Sequence, residues 1–107
     1  MDIGKNIRAV RERIAHAAQS SGRSADDVKL IAVSKTHPAE TVDEAIRNGI
    51  HNIGENRIQE ADSKFGDVQE SATWHMIGHL QRNKVQTALK IFDVIHSVGS
   101  VRLAAEI

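Results

Sequence analysis

Val28-Lys29-Leu30-Ile31-Ala32-Val33-Ser34-Lys35 is the stretch on which the reading of the fold turns. Its apolar residues run almost without interruption and do not alternate with polar ones, as expected of a strand buried on both faces of a parallel sheet. Pro38 then opens a helix whose inner face is Val42, Ala45 and Ile46, and Gly49 closes it. The unit repeats, with strand-like segments beginning at Leu30, His51, Trp74 and Val94, at intervals of 21, 23 and 20 residues. The second strand, His51-Asn52-Ile53, leads to Gly54, and Asn56 with Gln59 forms a capping box for the next helix. Trp74 to Ile77 is the third strand. It is followed by a polar first turn from Gln81 to Lys84 and a helix with Val85, Ala88, Leu89 and Phe92 inward. Val94-Ile95-His96 is the fourth strand, and Ser100 caps a helix from Val101 onward. Strand-helix units at this spacing require parallel strands with right-handed crossovers. That leaves an open doubly wound sheet or part of a (β/α)8 barrel.

Upstream of this array, Ile3, Ile7, Val10, Ile14 and Ala17 recur every three or four residues, one stripe of an amphipathic helix. Asp2 caps its start, and Gly22 suits the position just past its end. Lys5, Arg8, Arg11, Glu12 and Arg13 form its solvated face.

The chain has 107 residues, enough for one domain at most. Fourteen basic residues balance 14 acidic ones, which argues against binding nucleic acid or an anionic membrane by bulk charge. With 40% hydrophobic residues the chain is not intrinsically disordered, and with 3% aromatics its core is aliphatic. There is no cysteine, which removes disulfides, thiolate nucleophiles and cysteine zinc sites together. Leu30 to Val33, the longest apolar run, falls far short of the roughly 20 residues of a membrane span. The N-terminus lacks a signal-peptide layout. A cytoplasmic location is the expectation.

In either architecture the working face lies at the C-terminal ends of the strands. Those ends supply Ser34-Lys35, then Gly54-Glu55-Asn56, then His75, Gly78 and His79, then His96-Ser97. Lys35 follows a stretch expected to be buried. Partial desolvation there favours the neutral amine and suits Schiff-base chemistry. The alternative is a stem packed on the strand end with its ammonium in water. Glu55 is open to two readings, an acid/base group or a carboxylate favoured by a helix start. Gly78 to Val85 superficially matches a phosphate-binding P-loop, but Asn83 and Val85 stand where its second glycine and its Ser/Thr belong. His75 and His79 lie four apart but off any shared helix, so they read as structural histidines rather than metal ligands.

Three ordered stretches are recognisable. Leu30-Ile31-Ala32-Val33-Ser34-Lys35-Thr36-His37-Pro38 resembles the cofactor-lysine strand of the pyridoxal phosphate homeostasis proteins. Ile53-Gly54-Glu55-Asn56-Arg57-Ile58-Gln59-Glu60 and Trp74-His75-Met76-Ile77-Gly78-His79-Leu80-Gln81-Arg82-Asn83-Lys84 are similar to two further signatures of that family. The family usually carries aromatic residues where Ile53 and Arg57 stand.

The resemblance implies a barrel similar to the N-terminal domain of alanine racemases. Residues 1–107 would be the N-terminal half of it, about four strand-helix units plus a leading helix, cut in the fourth helix. It implies that Lys35 holds pyridoxal 5'-phosphate as a Schiff base, with Asn56 near the ring substituents and His75 and Ile77 lining the pocket wall. The expected function is binding, buffering and delivery of this small-molecule cofactor in vitamin B6 balance, without established turnover. The phosphate cradle is expected later in the barrel, so retention by this chain alone should be impaired. Alternatives are a racemase-like enzyme, for which the chain lacks a tyrosine acid/base, and an inert partial domain with an interaction role. A half barrel leaves open edges, so self-association is expected.

Overall fold

The computed structural model describes residues 2–96. Their elements, in chain order, are α1 (Ile3–Ser20), β1 (Ala32–Val33), α2 (Ala39–Arg47), β2 (Asn52–Glu55), α3 (Ile58–Phe65), β3 (Thr73–Met76), α4 (Val85–Ile91) and β4 (Val94–Ile95). Single 3-10 turns at Ala25–Asp27 and Arg82–Lys84 precede β1 and α4. The four strands form one sheet in the order β1-β2-β3-β4, all parallel. A doubly wound sheet reverses its strand order at a switch point, whereas a barrel adds each strand beside the last. The monotonic order therefore selects the barrel. The helix expected from Val101 lies outside the described residues.

Local chemistry explains the helix ends. The Asp2 side chain accepts the Lys5 N–H at 2.9 Å and starts α1. At the other end Gly22 has φ +73°, and the Arg23 N–H reaches back to the Ala18 carbonyl at 2.8 Å. Pro38 is the N-cap of α2, where its missing N–H costs nothing, and Gly49 (φ +97°) turns the chain toward β2.

Strand residues alternate between two faces. Ile53 pairs with Trp74 and Glu55 with Met76, and these four lie under the helices. Val42, Ile50, Ile58, Ala61, Val85 and Ala88 complete the core on that side, and Phe65 meets the Trp74 ring edge-on at 5.2 Å. The other face, which would be a barrel interior, carries Val33, Gly54, His75 and Val94 at one level.

Several expectations need correction. β1 is two residues long and is not buried on both faces, with Val33 45% and Val28 37% exposed. It pairs with β2 alone among the described residues, and no described element covers its inward face. β2 runs on to Glu55, so Gly54 and Glu55 are strand residues rather than a loop. Asn56 does not cap α3; the N-cap is Arg57, which makes no side-chain capping bond. In α4 it is Ile91, not Leu89, that turns inward with Val85 and Ala88, and Leu89 is 48% exposed. The stripe of α1 is only partly covered, with Val10 exposed and Ile3, Ile7 and Ile14 half-buried.

Candidate functional site

The backbone ladder continues one bond past the strands. Ser34 N–H donates to the Gly54 carbonyl (3.1 Å), Ile77 N–H to Glu55 (3.0 Å) and His96 N–H to Met76 (3.0 Å). Two residues on from the Val33–Gly54–His75 level, each strand end reaches Lys35, Asn56 and Ile77 respectively. Three of the four expected site residues thus stand at the C-terminal rim, and His75 sits one level deeper. Gly54 leaves the inward face low: a Cβ there would lie 3.0 Å from Ile31 Cγ2 and 3.2 Å from Ile77 Cδ1. Ile31 and Ile77 therefore close over the glycine from either side.

Lys35 lies in a four-residue turn closed by the His37 N–H and the Ser34 carbonyl at 3.1 Å. Thr36, the third residue of that turn, has φ +65°, a conformation a β-branched residue adopts only at a cost. Lys35 itself is exposed, so the desolvation expected from its strand is not provided by the described residues. The reason is the uncovered inward face of β1. No hydrogen-bond or ion-pair partner holds its amine among the described residues.

His75 is buried, and both ring nitrogens are engaged, Nε2 with Asn52 Oδ1 and Nδ1 with His96 Nε2, each at 2.9 Å. Donation into the Asn52 carbonyl oxygen places the proton on Nε2 and leaves Nδ1 to accept from His96. Burial, then the neighbouring His96 and Lys29, push the His75 pKa below its ordinary value, against a smaller opposing pull from Asp93. His75 is a satisfied neutral imidazole that stiffens the wall beneath the rim. Asn56 also lines a cleft of about 340 Å3 with Arg57, Gln59, His79, Gln81 and Lys84.

Behind the sheet lies a cluster that the sequence did not disclose. Glu55, fully buried, faces the helices, not the rim, so neither reading of it as an acid/base group nor as a helix-start carboxylate holds. Its Oε1 accepts from the Ser34 hydroxyl and lies 2.8 Å from Lys64 Nζ. Lys64 Nζ also donates to the carbonyls of Ser34 (2.7 Å) and His37 (2.9 Å) and lies 3.4 Å from Glu60 Oε1, while Glu60 accepts the Thr36 N–H. A signal did exist: Ile58, Ala61 and Lys64 fall three apart, which puts a lysine on the buried stripe of α3.

No family model matches the chain. The pyridoxal phosphate homeostasis protein of Escherichia coli (strain K12) is 40% identical over 110 residues, 99% of this chain and 47% of that protein. The protein of the same description from Pseudomonas aeruginosa is 42% identical over 103 residues, covering 95% and 45% respectively. Among solved structures, PipY of Synechococcus elongatus with PLP bound superposes with a TM-score of 0.81 at 38% identity, over 98% of this chain and 46% of PipY. Parallel strands in chain order, with the described helices packed on one face and a lysine at the rim, define half of a (β/α)8-type barrel. The chain is a homologue of the pyridoxal phosphate homeostasis proteins. It spans about half the length of the curated relatives it matches.

Proposed function

We propose that this chain takes part in holding and buffering pyridoxal 5'-phosphate through Lys35. The observation that carries the reading is the Lys35 amine, exposed at the C-terminal rim of a parallel sheet and unclaimed by any described carboxylate. The likeness to PipY, solved with PLP bound, and to relatives named for pyridoxal phosphate homeostasis supports it. When bound, this cofactor supplies an aldehyde that a primary amine captures reversibly with loss of water. The chain's own residues do the rest. Lys35 provides the amine, Asn56 a polar group at the same rim level, and Ile77 an apolar wall over Gly54. His75 keeps that wall in place from below, tied to Asn52 and His96.

Barrel phosphate sites are built from the loops after the seventh and eighth strands, and four strands are described here. Retention by this chain alone is therefore weak, with the amine present and the anion cradle supplied from elsewhere. The test is titration of the 107-residue chain with pyridoxal phosphate, followed by absorbance and by borohydride trapping. The expected result is a weak, saturable, trappable adduct at Lys35 that Lys35→Ala abolishes. Adduct spread evenly over all exposed lysines would defeat the reading.

The inward face supports a second proposal, association of two copies through the outer edges of the described sheet. Val33 and Val94, on the two outer strands of the described sheet, are 45% and 39% exposed. No described helix is long and apolar enough to cross a membrane.

A further inference from the structure

The turn that carries Lys35 is anchored from the opposite face of the sheet. Lys64 reaches through from α3 with its side chain 8% exposed. Its ammonium donates to Ser34 and His37, the two residues that bracket Lys35 and Thr36. The carbonyl of Ser34 already closes the turn by accepting the His37 N–H, so one cation ties both ends of the same four-residue loop. Glu60, one helical turn before Lys64, holds the Thr36 N–H and so fixes the middle. Glu55 holds Lys64 in place and takes the Ser34 hydroxyl. A threonine at φ +65° persists only where its surroundings over-determine it. These are the contacts that do so.

We infer that Lys64 is the positioning residue for Lys35: from behind the sheet it sets the turn that presents the cofactor amine at the rim. Lys64 acts through the backbone on either side of Lys35 and does not itself face the rim. Two lysines with opposite environments thus divide the work, one exposed and unpaired, one buried and held by two carboxylates and two carbonyls. Released from Lys64, the Ser34 and His37 carbonyls lose their shared cation and Thr36 relaxes toward negative φ. Lys35 then samples orientations along the edge of β1 as well as the inward one.

The inference rests on the reading that Lys35 captures the cofactor, and two readouts separate the two claims. The first needs no cofactor: amide hydrogen exchange at Thr36 and His37, with Ile53 and Trp74 as reporters of the sheet. The second is the share of borohydride-trapped pyridoxal phosphate found at Lys35 relative to the other lysines, by peptide mass spectrometry. In Lys64→Met, Thr36 exchange accelerates about tenfold, on the scale of one hydrogen bond to a charged group. Sheet amides accelerate only as far as the loss of global stability requires and stay slower than Thr36, and the Lys35 share falls to that of other exposed lysines. Lys64→Arg keeps a cation in place and restores part of both signals. Glu55→Gln/Lys64→Met, which strands no buried carboxylate, removes the same cation from the Ser34 and His37 carbonyls and serves if Lys64→Met fails to fold. Unchanged Thr36 exchange in a folded Lys64→Met, or in Glu55→Gln/Lys64→Met, overturns the inference. A wild-type chain without Lys35 preference defeats the cofactor reading, and the exchange arm still decides this one.

Discussion

Glu55 and Lys64 form an ion pair at 2.8 Å on the helix-covered side of the sheet, with side-chain exposures of 0% and 8%. Burying two charges is costly, and the pair holds because Lys64 also finds two carbonyls and Glu55 the Ser34 hydroxyl. Its value is asymmetric. Removing one partner strands the other charge in the interior, so Lys64→Met should cost about 3–5 kcal/mol. The double variant Glu55→Gln/Lys64→Met leaves no uncompensated charge and should cost less than Lys64→Met alone. Urea unfolding followed by fluorescence of the single tryptophan, Trp74, measures both. Equal costs for the single and double variants would show that the stranded carboxylate is not the source of the loss.

Stability should depend on pH through His75. Unfolded, it titrates near 6.5, and burial lowers that value in the folded chain. Between the two values the unfolded chain binds more protons than the folded one, so stability falls as pH drops below 6.5 and is full above it. His75→Asn removes this contribution and should flatten the dependence of the unfolding midpoint on pH below 6.5. Glu60 acts in a more acid window. Its pKa lies below 4.5, chiefly because Thr36 donates a backbone hydrogen bond to it, opposed by partial burial and helped by Lys64. Its stabilisation is complete above 4.5 and disappears as pH falls through the folded value. An unaltered midpoint slope in His75→Asn would place the pH dependence elsewhere.

Two glycines should respond oppositely to alanine. At Gly78 a Cβ would overlap the Asn56 carbonyl oxygen and lie 3.0 Å from the Asn56 carbonyl carbon and Cα, backbone atoms that cannot swing aside. Gly78→Ala therefore destabilises by about 1–3 kcal/mol, the range for an overpacked site. It also displaces Asn56 at the rim, which an amide chemical-shift change there reports. At Gly66, with φ −67° and nothing within 4 Å of a Cβ, alanine costs no space. Gly66→Ala should stabilise by about 0.4–1 kcal/mol through the unfolded state.

Periodicity carried the fold as far as periodicity can. Ile3, Val42, Ile53, Trp74 and Val85 mark their elements because local spacing is written in the chain, and the Asp2 cap and the Gly22 and Gly49 turns follow local rules. Failures came where tertiary context decides. Val33 lies among apolar neighbours yet is exposed, because burial of an inward strand face depends on elements elsewhere in a barrel. Glu55 next to Asn56 looked like a loop carboxylate, and only the pairing with Met76 turns it away from the rim. Lys35 was legible as the rim amine. Lys64 was not, because 30 residues separate it from the Ser34 carbonyl it holds.

The inward face leads to a last expectation, on assembly. Val33 and Val94 stand at one level of the sheet, on its two outer described strands, with the buried Gly54 and His75 between them. Each valine is more than a third exposed, and apolar area removed from water is worth roughly 25 cal/mol per Å2. A second copy laid on this face would cover both valines and pair the outer edges of the described sheet. The 107-residue chain should therefore sediment as a dimer or larger species at about tens of micromolar, which corresponds to a weak contact of roughly 6–7 kcal/mol. Val33→Lys/Val94→Lys places like charges on both copies and should shift the chain to monomer. Because both positions are exposed in one copy, its unfolding midpoint should hardly move. A parent chain that stays monomeric across that range, or a double variant that associates as before, would show that this face is not the contact.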